Sequence, residues 1–171
     1  IISYYSYIIL FTNKQFNYIT INKGTLQGVN ADMAVISEQG VVGVVIDASE
    51  DFASVIPVIN NNFRLSAKLK RNDQFGILEW NGLDPQHINL KEIPTHIDVF
   101  EGDTIVTSGY SAIFPEGILI GKVEELTARE GNFYQIKVKL FTDFGKLFHV
   151  NVISNFYREE QKKLEGEVGY D

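Results

Sequence analysis

The amino-acid sequence predicts an all-β protein with little helix. Its 171 residues are 44% hydrophobic and 12% aromatic, which is enough apolar material to bury a core. Apolar residues recur at every second position in short runs, and turn residues bound each run. A period of two is typical of half-buried strands, whereas a helix repeats near 3.6. About ten such runs in succession indicate a β-sandwich or a β-barrel.

The predicted strands end at residues that favour turns. The run Tyr18–Ile21 ends at an Asn-Lys-Gly turn, and the run 33–37 ends at Gln39 and Gly40. The run 75–80 ends at Asn81 and Gly82, a dipeptide that strongly favours a type I′ hairpin turn. The other predicted strands are 41–46, 54–59, Arg64–Leu69, 87–93, Thr104–Thr107, 118–124, 134–139 and 150–153.

Two segments of the chain, 28–49 and 99–126, share one plan. In each segment an Asp precedes a short strand, a Ser and a turn follow, and a second strand carries a glycine before a Val. A glycine inside a strand often marks a bulge or a barrel corner. The repeated plan therefore predicts two small, similar antiparallel β-barrels, with Gly43 and Gly121 as corner residues.

The division between the two barrels is predicted at the polar segment 71–74, because a shift in composition between strands often marks a boundary. We expect a junction with a first strand at 1–15, a first barrel at 16–71, a second barrel at 72–155 and a flexible tail at 156–171. An exchange of terminal strands between the barrels stays open. The chain starts at Ile1 and its one methionine is Met33, so we also expect a fragment whose N-terminal part, including any membrane anchor, is absent.

The charge of the chain argues against a nucleic-acid partner. The formal net charge is −7, and the longest basic run is the short segment 68–71. Phosphate binding requires clustered Lys and Arg side chains, so we expect no nucleic-acid groove. The absence of cysteine excludes disulfides and thiolate sites, but it fits both a cytosolic and an exported protein.

A serine hydrolase is the enzymatic alternative. Ser108 lies in a Thr-Ser-Gly sequence, and a triad can be written from Ser108 or Ser111 with His96 and Asp98. However, the chain has no Gly-x-Ser-x-Gly motif, so loop and turn roles are the simpler interpretation. Three histidines scattered along the chain give no metal-binding spacing, and the glycines of 102–121 precede a strand rather than a phosphate-binding helix. We therefore predict no catalytic residue, no metal and no cofactor.

The loop after Thr104–Thr107 carries three apolar side chains, those of Tyr110, Ile113 and Phe114. Such side chains can fill the end of a barrel. They can also face solvent and form the centre of a protein interface. The sequence leaves both possibilities open, namely a barrel plug or a partner-binding loop.

Several motifs occur in an order and spacing that resemble one known family. They are NYITINKGTLQGVNADMAVIS at 17–37, GVVGVV at 40–45, GILEWNG at 76–82 and GDTIVTSGYSAIFPEGILIGKV at 102–123. Together they resemble the conserved region of MreC, the bacterial rod shape-determining family, over nearly the whole chain.

The resemblance implies two β-barrels in a chymotrypsin-like arrangement without the catalytic groups, placed beyond a coiled coil and a single transmembrane helix. It implies a location on the extracytoplasmic face of the cytoplasmic membrane. It also implies a non-enzymatic scaffold of the cell-wall elongation machinery that self-associates and contacts MreD and the class B penicillin-binding transpeptidase working with RodA. Ser108 and Gly109 would then be turn residues. A peptidoglycan-binding module remains a further alternative.

Overall fold

The computed structural model describes residues 8–11, 15–128, 131–154 and 163–164, with only the backbone described for 8–11. The predicted all-β fold is confirmed, and the predicted tail lies outside the described residues apart from 163–164. The strands are β1 (Ile8–Phe11), β2 (Tyr18–Ile21), β3 (Ala34–Ile36), β4 (Val41–Ala48), β5 (Ala53–Pro57), β6 (Arg64–Leu69), β7 (Phe75–Glu79), β8 (His87–Lys91), β9 (Thr104–Thr107), β10 (Leu119–Ala128), β11 (Tyr134–Leu140) and β12 (Asn151–Ile153).

Within the part of the chain that the structure describes, helical structure is limited to short pieces. Two 3₁₀ turns, Thr25–Gln27 and Phe144–Lys146, stand between strands. Gly28 ends the first of them with a left-handed φ of 82°, a conformation that glycine adopts without steric cost. Within the described residues, no helix is long and apolar enough to cross a membrane.

The strands form a six-stranded sheet and a closed six-stranded barrel, and every pairing is antiparallel. The order in the sheet is β1-β2-β5-β4-β3-β12, with β1 and β12 at its edges among the described pairings. The order around the barrel is β10-β11-β8-β7-β6-β9. Alternate side chains of both parts, such as Ile19, Val55, Ile88 and Val138, point into one connected hydrophobic core.

The sheet and the barrel have the same strand order, and each borrows one strand from the other. The sheet takes β1 to β5 and is completed by β12, while the barrel takes β7 to β11 and is completed by β6. In both parts the borrowed strand pairs with the third strand, as Val152 does with Val35 and Leu69 does with Ile105. The chain therefore contains two six-strand units in succession whose last strands are exchanged.

The prediction left an exchange of terminal strands open, and the exchange moves two strands out of the ranges predicted for their barrels. Arg64–Leu69 was expected in the first barrel, but Leu65 pairs with Leu78 of β7 and the strand belongs to the closed barrel. The strand predicted at 150–153 lies in the sheet, not in the second barrel. The polar segment 71–74, predicted as the boundary, is instead the turn of the β6–β7 hairpin, where the N–H of Leu69 donates to the carbonyl of Gln74 at 2.9 Å. Turns and domain boundaries share a polar composition, which explains the difference.

Gly43 and Gly121 lie beside equivalent β-bulges. Val42 is the extra residue before Gly43 in β4, and Ile120 is the extra residue before Gly121 in β10. A Cβ on Gly43 would lie 2.1 Å from the carbonyl oxygen of Ile56, and one on Gly121 would lie 2.2 Å from that of Lys139. The backbone of the next strand thus leaves no room for a side chain at either position.

Candidate partner-binding surface

The β9–β10 loop is the largest departure from the repeat. In the β3–β4 hairpin the N–H of Ser37 donates to the carbonyl of Gly40 at 2.8 Å, which encloses two residues. The equivalent bond in the barrel, from Thr107 to Ile118 at 2.9 Å, encloses ten residues. The additional residues include all three side chains that the sequence analysis singled out, Tyr110, Ile113 and Phe114.

Hydroxyl groups hold both ends of this loop. The Thr107 hydroxyl donates to the carbonyl of Pro115 at 2.6 Å and accepts the N–H of Ile118 at 2.8 Å. The Ser108 hydroxyl lies 2.9 Å from the hydroxyl of Ser66 on β6 and accepts the N–H of Tyr110 at 3.2 Å. Ser108 is therefore engaged within the loop and with the neighbouring strand.

The candidate hydrolase residues are not brought together around Ser108. The hydrogen-bond partners of its hydroxyl in the described residues are Ser66 and the N–H of Tyr110, and His96 is not among them. His96 itself is exposed. The backbone carbonyl of Asp98 accepts from Arg71 at 2.6 Å. The part of the chain that the structure describes also contains no group of three or more His, Cys, Asp or Glu residues able to hold a metal ion.

Lys68 joins the loop to the barrel wall. Its ammonium, on a side chain that is only 11% exposed, donates to Asp73 in the β6–β7 turn at 2.6 Å and pairs with Glu116 of the loop. These two carboxylates, Asp73 first, raise the pKa of Lys68 above its ordinary value, so the side chain carries a full charge at neutral pH. The loop is thus held by the hydroxyl groups of Thr107 and Ser108 and by the ion pair of Glu116 with Lys68.

The three apolar side chains of the loop lie in different environments. Phe114 is 2% exposed and belongs to the core, and Ile113 is half-buried against it. Tyr110 is 70% exposed and packs edge to face on Phe75 of β7, with ring centroids 4.7 Å apart and an interplanar angle of 73°. One end of the apolar set packs into the hydrophobic core, and the other presents an aromatic pair to solvent.

Phe75 was missed by the sequence analysis, which read it only as the start of a strand. The available signal was the alternation of β7, since Gly76 and Leu78 are buried while Phe75, at an odd position, faces outward. Its cross-strand partner is Lys68, so the exposed ring and the two ion pairs of Lys68 are neighbours on the outer face of the barrel. We call Phe75 and Tyr110 the aromatic pair.

A second ion pair holds the segment that leads into β9. The Arg71 guanidinium lies 3.0 Å from the Asp103 carboxylate and stacks over the ring of Phe100 at 4.7 Å. The hydrogen bond from Arg71, aided by the N–H of Phe100, holds the pKa of Asp103 below its ordinary value despite partial burial. This contact fixes the β6–β7 turn against the segment before β9.

A family model described as "Rod shape-determining protein MreC, barrel core" matches residues 9–154. The cell shape-determining protein MreC of Bacillus subtilis is 34% identical over 149 residues, which cover 80% of this chain and 51% of the relative. The MreC of Listeria monocytogenes is 32% identical over 139 residues, covering 79% and 47%. The chain therefore spans about half the length of the curated relatives it matches.

Solved structures with the same fold include MreC of Listeria monocytogenes, with a TM-score of 0.81, 30% identity and coverage of 88% of this chain and 74% of that one. MreC from Pseudomonas aeruginosa has a TM-score of 0.83 and 24% identity, covering 88% and 98%. A complex between Penicillin-Binding Protein (PBP2) and MreC from Helicobacter pylori matches in fold, with a TM-score of 0.68, 16% identity and coverage of 86% and 94%. From the family match over most of its length and these relatives, we conclude that the chain belongs to the MreC family.

Proposed function

We propose that this chain is the β-domain region of a non-enzymatic scaffold that maintains rod cell shape by binding and organising the proteins of peptidoglycan synthesis. The family match supports this proposal, because the curated relatives are named cell shape-determining proteins. A relative from Helicobacter pylori has been solved in a complex with a penicillin-binding protein. The corresponding partner for this chain is the class B penicillin-binding transpeptidase.

The observation that best supports the proposal is the aromatic pair, whose loop is held by hydrogen bonds and an ion pair. Protein interfaces depend on a few large aromatic side chains, and ordering those side chains before binding reduces the entropic cost of association. Tyr110 is exposed, yet it packs on Phe75, and the loop behind it is held by Ser66 and Lys68. The surface is therefore pre-organised to enter an apolar pocket on a partner.

The remaining parts of the proposal concern the whole protein. We propose that it is held by a single N-terminal membrane helix on the extracytoplasmic face of the cytoplasmic membrane. There it would self-associate and contact MreD and RodA as well as the transpeptidase. In such an assembly the barrel face with the aromatic pair serves the transpeptidase, and other faces remain for the other partners.

A pull-down with the purified transpeptidase tests the partner and the surface together. We expect this chain to retain the transpeptidase and the Tyr110→Ala variant to lose about tenfold or more in affinity, as for an interface hot spot. Leu83→Ala is the matched control, because Leu83 is also exposed but lies in the β7–β8 turn. Equal binding by Tyr110→Ala and the intact chain would show that the aromatic pair is not part of the binding surface. No binding by the intact chain would contradict the proposed partner.

A further inference from the structure

A groove lined by aromatic, amide and charged side chains runs along the outer face of the barrel. Its main part has a volume of about 580 Å³, and a second part of about 290 Å³ shares Asn81, Asn89 and Gln135 with it. Both volumes are in or near the range of small-ligand sites. The groove crosses four neighbouring strands, since Glu79 pairs with Asn89, Asn89 with Lys137, and Lys137 with Glu125.

The charged side chains of the groove are largely neutralised by one another. Glu79 pairs with Lys91 and also lies 3.0 Å from Arg64. Lys137 lies 3.7 Å from Glu125 and 3.6 Å from Glu124. A phosphate or carboxylate ligand needs cations that are free to pair with it. The two lysines of the groove are both shared with carboxylates, so the groove does not favour an anion.

The amide side chains, by contrast, are free to bind. Those of Asn89, Asn132 and Gln135 line the groove and make no hydrogen bond to another described residue. Each amide group offers two N–H donors and a carbonyl acceptor. Three such groups on one concave face match a neutral ligand that is itself rich in donors and acceptors.

An exposed ring completes the groove. Phe133 is 52% exposed, and its backbone forms an isolated bridge to Pro94 that fixes the position of the residue. Tyr134 lines the groove beside it, with its hydroxyl bound to the carbonyl of Thr95 at 3.0 Å. Glu92, which also lines the groove, has a φ of 67°, a left-handed conformation that is costly for this residue type.

We propose that this groove binds a neutral polysaccharide strand that carries acetamido groups. The apolar face of a pyranose ring packs on an aromatic side chain, while its hydroxyls and acetamido group pair with side-chain amides. A protein partner is less compatible with the site, because interface centres are mainly aromatic and aliphatic, whereas the residues that the two parts of the groove share are the amides Asn81, Asn89 and Gln135. The proposal is independent of the scaffold function, since neither residue of the aromatic pair lines the groove.

Titration of the whole chain with the β-1,4-linked N-acetylglucosamine hexamer, followed by ¹H–¹⁵N correlation spectra, tests the proposal. We expect saturable shifts of the side-chain amides of Asn89 and Gln135 and of the backbone of 131–135, with a dissociation constant on the order of 1 mM or below. Phe133→Ala, and separately the double variant Asn89→Ala/Gln135→Ala, should each weaken binding by about tenfold. All three residues are at least partly exposed, and the same spectra report whether each variant is folded.

Two controls define what would overturn the proposal. Phe148→Ala removes an exposed ring outside the groove and should leave the affinity unchanged. Maltohexaose lacks acetamido groups and should bind at least about fivefold more weakly. The absence of saturable shifts, equal affinity for both sugars, or undiminished binding by the Asn89→Ala/Gln135→Ala variant would each contradict the assignment. Groove shifts that depend on protein concentration without sugar would identify a contact between copies of the chain instead.

Discussion

The β3–β4 hairpin of the sheet and the β9–β10 hairpin of the barrel have the same framework and different loops. Each has one bulge just before a central glycine and a second bulge three residues after that glycine, at Ile46 in β4 and at Glu124 in β10. The loops enclose two residues in one case and ten in the other. The shared bulges are requirements of strand curvature, whereas the longer loop supplies side chains that curvature does not need. Comparison of the two hairpins thus separates features of the fold from features available for binding.

Truncating the two aromatic residues of the longer loop, one at a time, distinguishes its buried part from its exposed part. Phe114→Ala should lower the free energy of unfolding by about 3–5 kcal/mol, because Phe114 is buried in the core and its loss leaves a cavity. Tyr110→Ala should cost less than about 1 kcal/mol, since only the edge-to-face contact with Phe75 is lost. Urea unfolding of both variants measures the difference. Similar losses for the two would contradict a loop that is part plug and part exposed surface.

The shared framework can be broken at its two glycines. Gly43→Ala and Gly121→Ala should each cost about 3 kcal/mol, because the new Cβ would collide with a backbone carbonyl of the neighbouring strand. Gly102→Ala provides the control, since nothing lies within 4 Å of its Cβ and its φ of 87° is the only strain. That control should lose only about 1 kcal/mol. If one central glycine tolerated alanine and the other did not, the two bulges would not be equivalent.

The hydroxyl that supports the longer loop should have a modest structural role. Ser108→Ala removes hydrogen bonds to Ser66 and to the N–H of Tyr110, and we expect a loss of about 1 kcal/mol in stability. Because the proposed function is not hydrolytic, the variant should still bind the transpeptidase and restore rod shape in the full-length protein. A variant that is folded and binds the transpeptidase, yet fails to restore shape, would favour the serine hydrolase alternative.

The ion pair between Arg71 and Asp103, before β9, should make the stability of the chain depend on pH in the acidic range. The pKa of Asp103 is lower in the folded chain than in the unfolded chain, mainly because of the hydrogen bond from Arg71. Its stabilising contribution is therefore complete above the ordinary Asp pKa of about 4 and is lost as the pH falls through the lower folded value. Asp103→Asn should reduce the slope of stability against pH in that acidic range. If the stability of the variant and that of the intact chain changed equally with pH in this range, the stabilising role of the ionised Asp103 would be contradicted.

Much of the fold could be predicted from the sequence because strand alternation is a local property. All eleven predicted strands overlap strands of the structure, and the repeat of 28–49 in 99–126 corresponds to the two equivalent hairpins. The sequence left an exchange of terminal strands open but could not decide that β6 and β12 are exchanged, because partner choice depends on residues far apart in the chain. The polar segment 71–74 was ambiguous for the same reason, since a hairpin turn and a boundary look alike in composition.

The candidate surfaces were less accessible to sequence reasoning than the strands. Tyr110, Ile113 and Phe114 were found together, but their different burial depends on the path of the loop across the barrel. Phe75 joins Tyr110 only because β7 and the β9–β10 loop meet in space. The groove around Asn89 and Gln135 arises from strands β8 and β11, which pair across a long separation in sequence. Only motifs carried by consecutive residues could be read in advance.

The exchange of β6 and β12 has a consequence for how the chain acquires its structure. The sheet gains its sixth strand only when Val152 of β12 pairs with Val35 of β3, and Val152 is among the last described residues. The barrel, in turn, is closed by β6, which directly follows β5 of the sheet in the chain. Contacts of such long sequence separation slow folding, because the chain must lose its freedom before the contacts form. We therefore expect the two parts to fold and unfold in one cooperative step, and a chain cut between β6 and β7 to yield two pieces that acquire stable structure only when mixed.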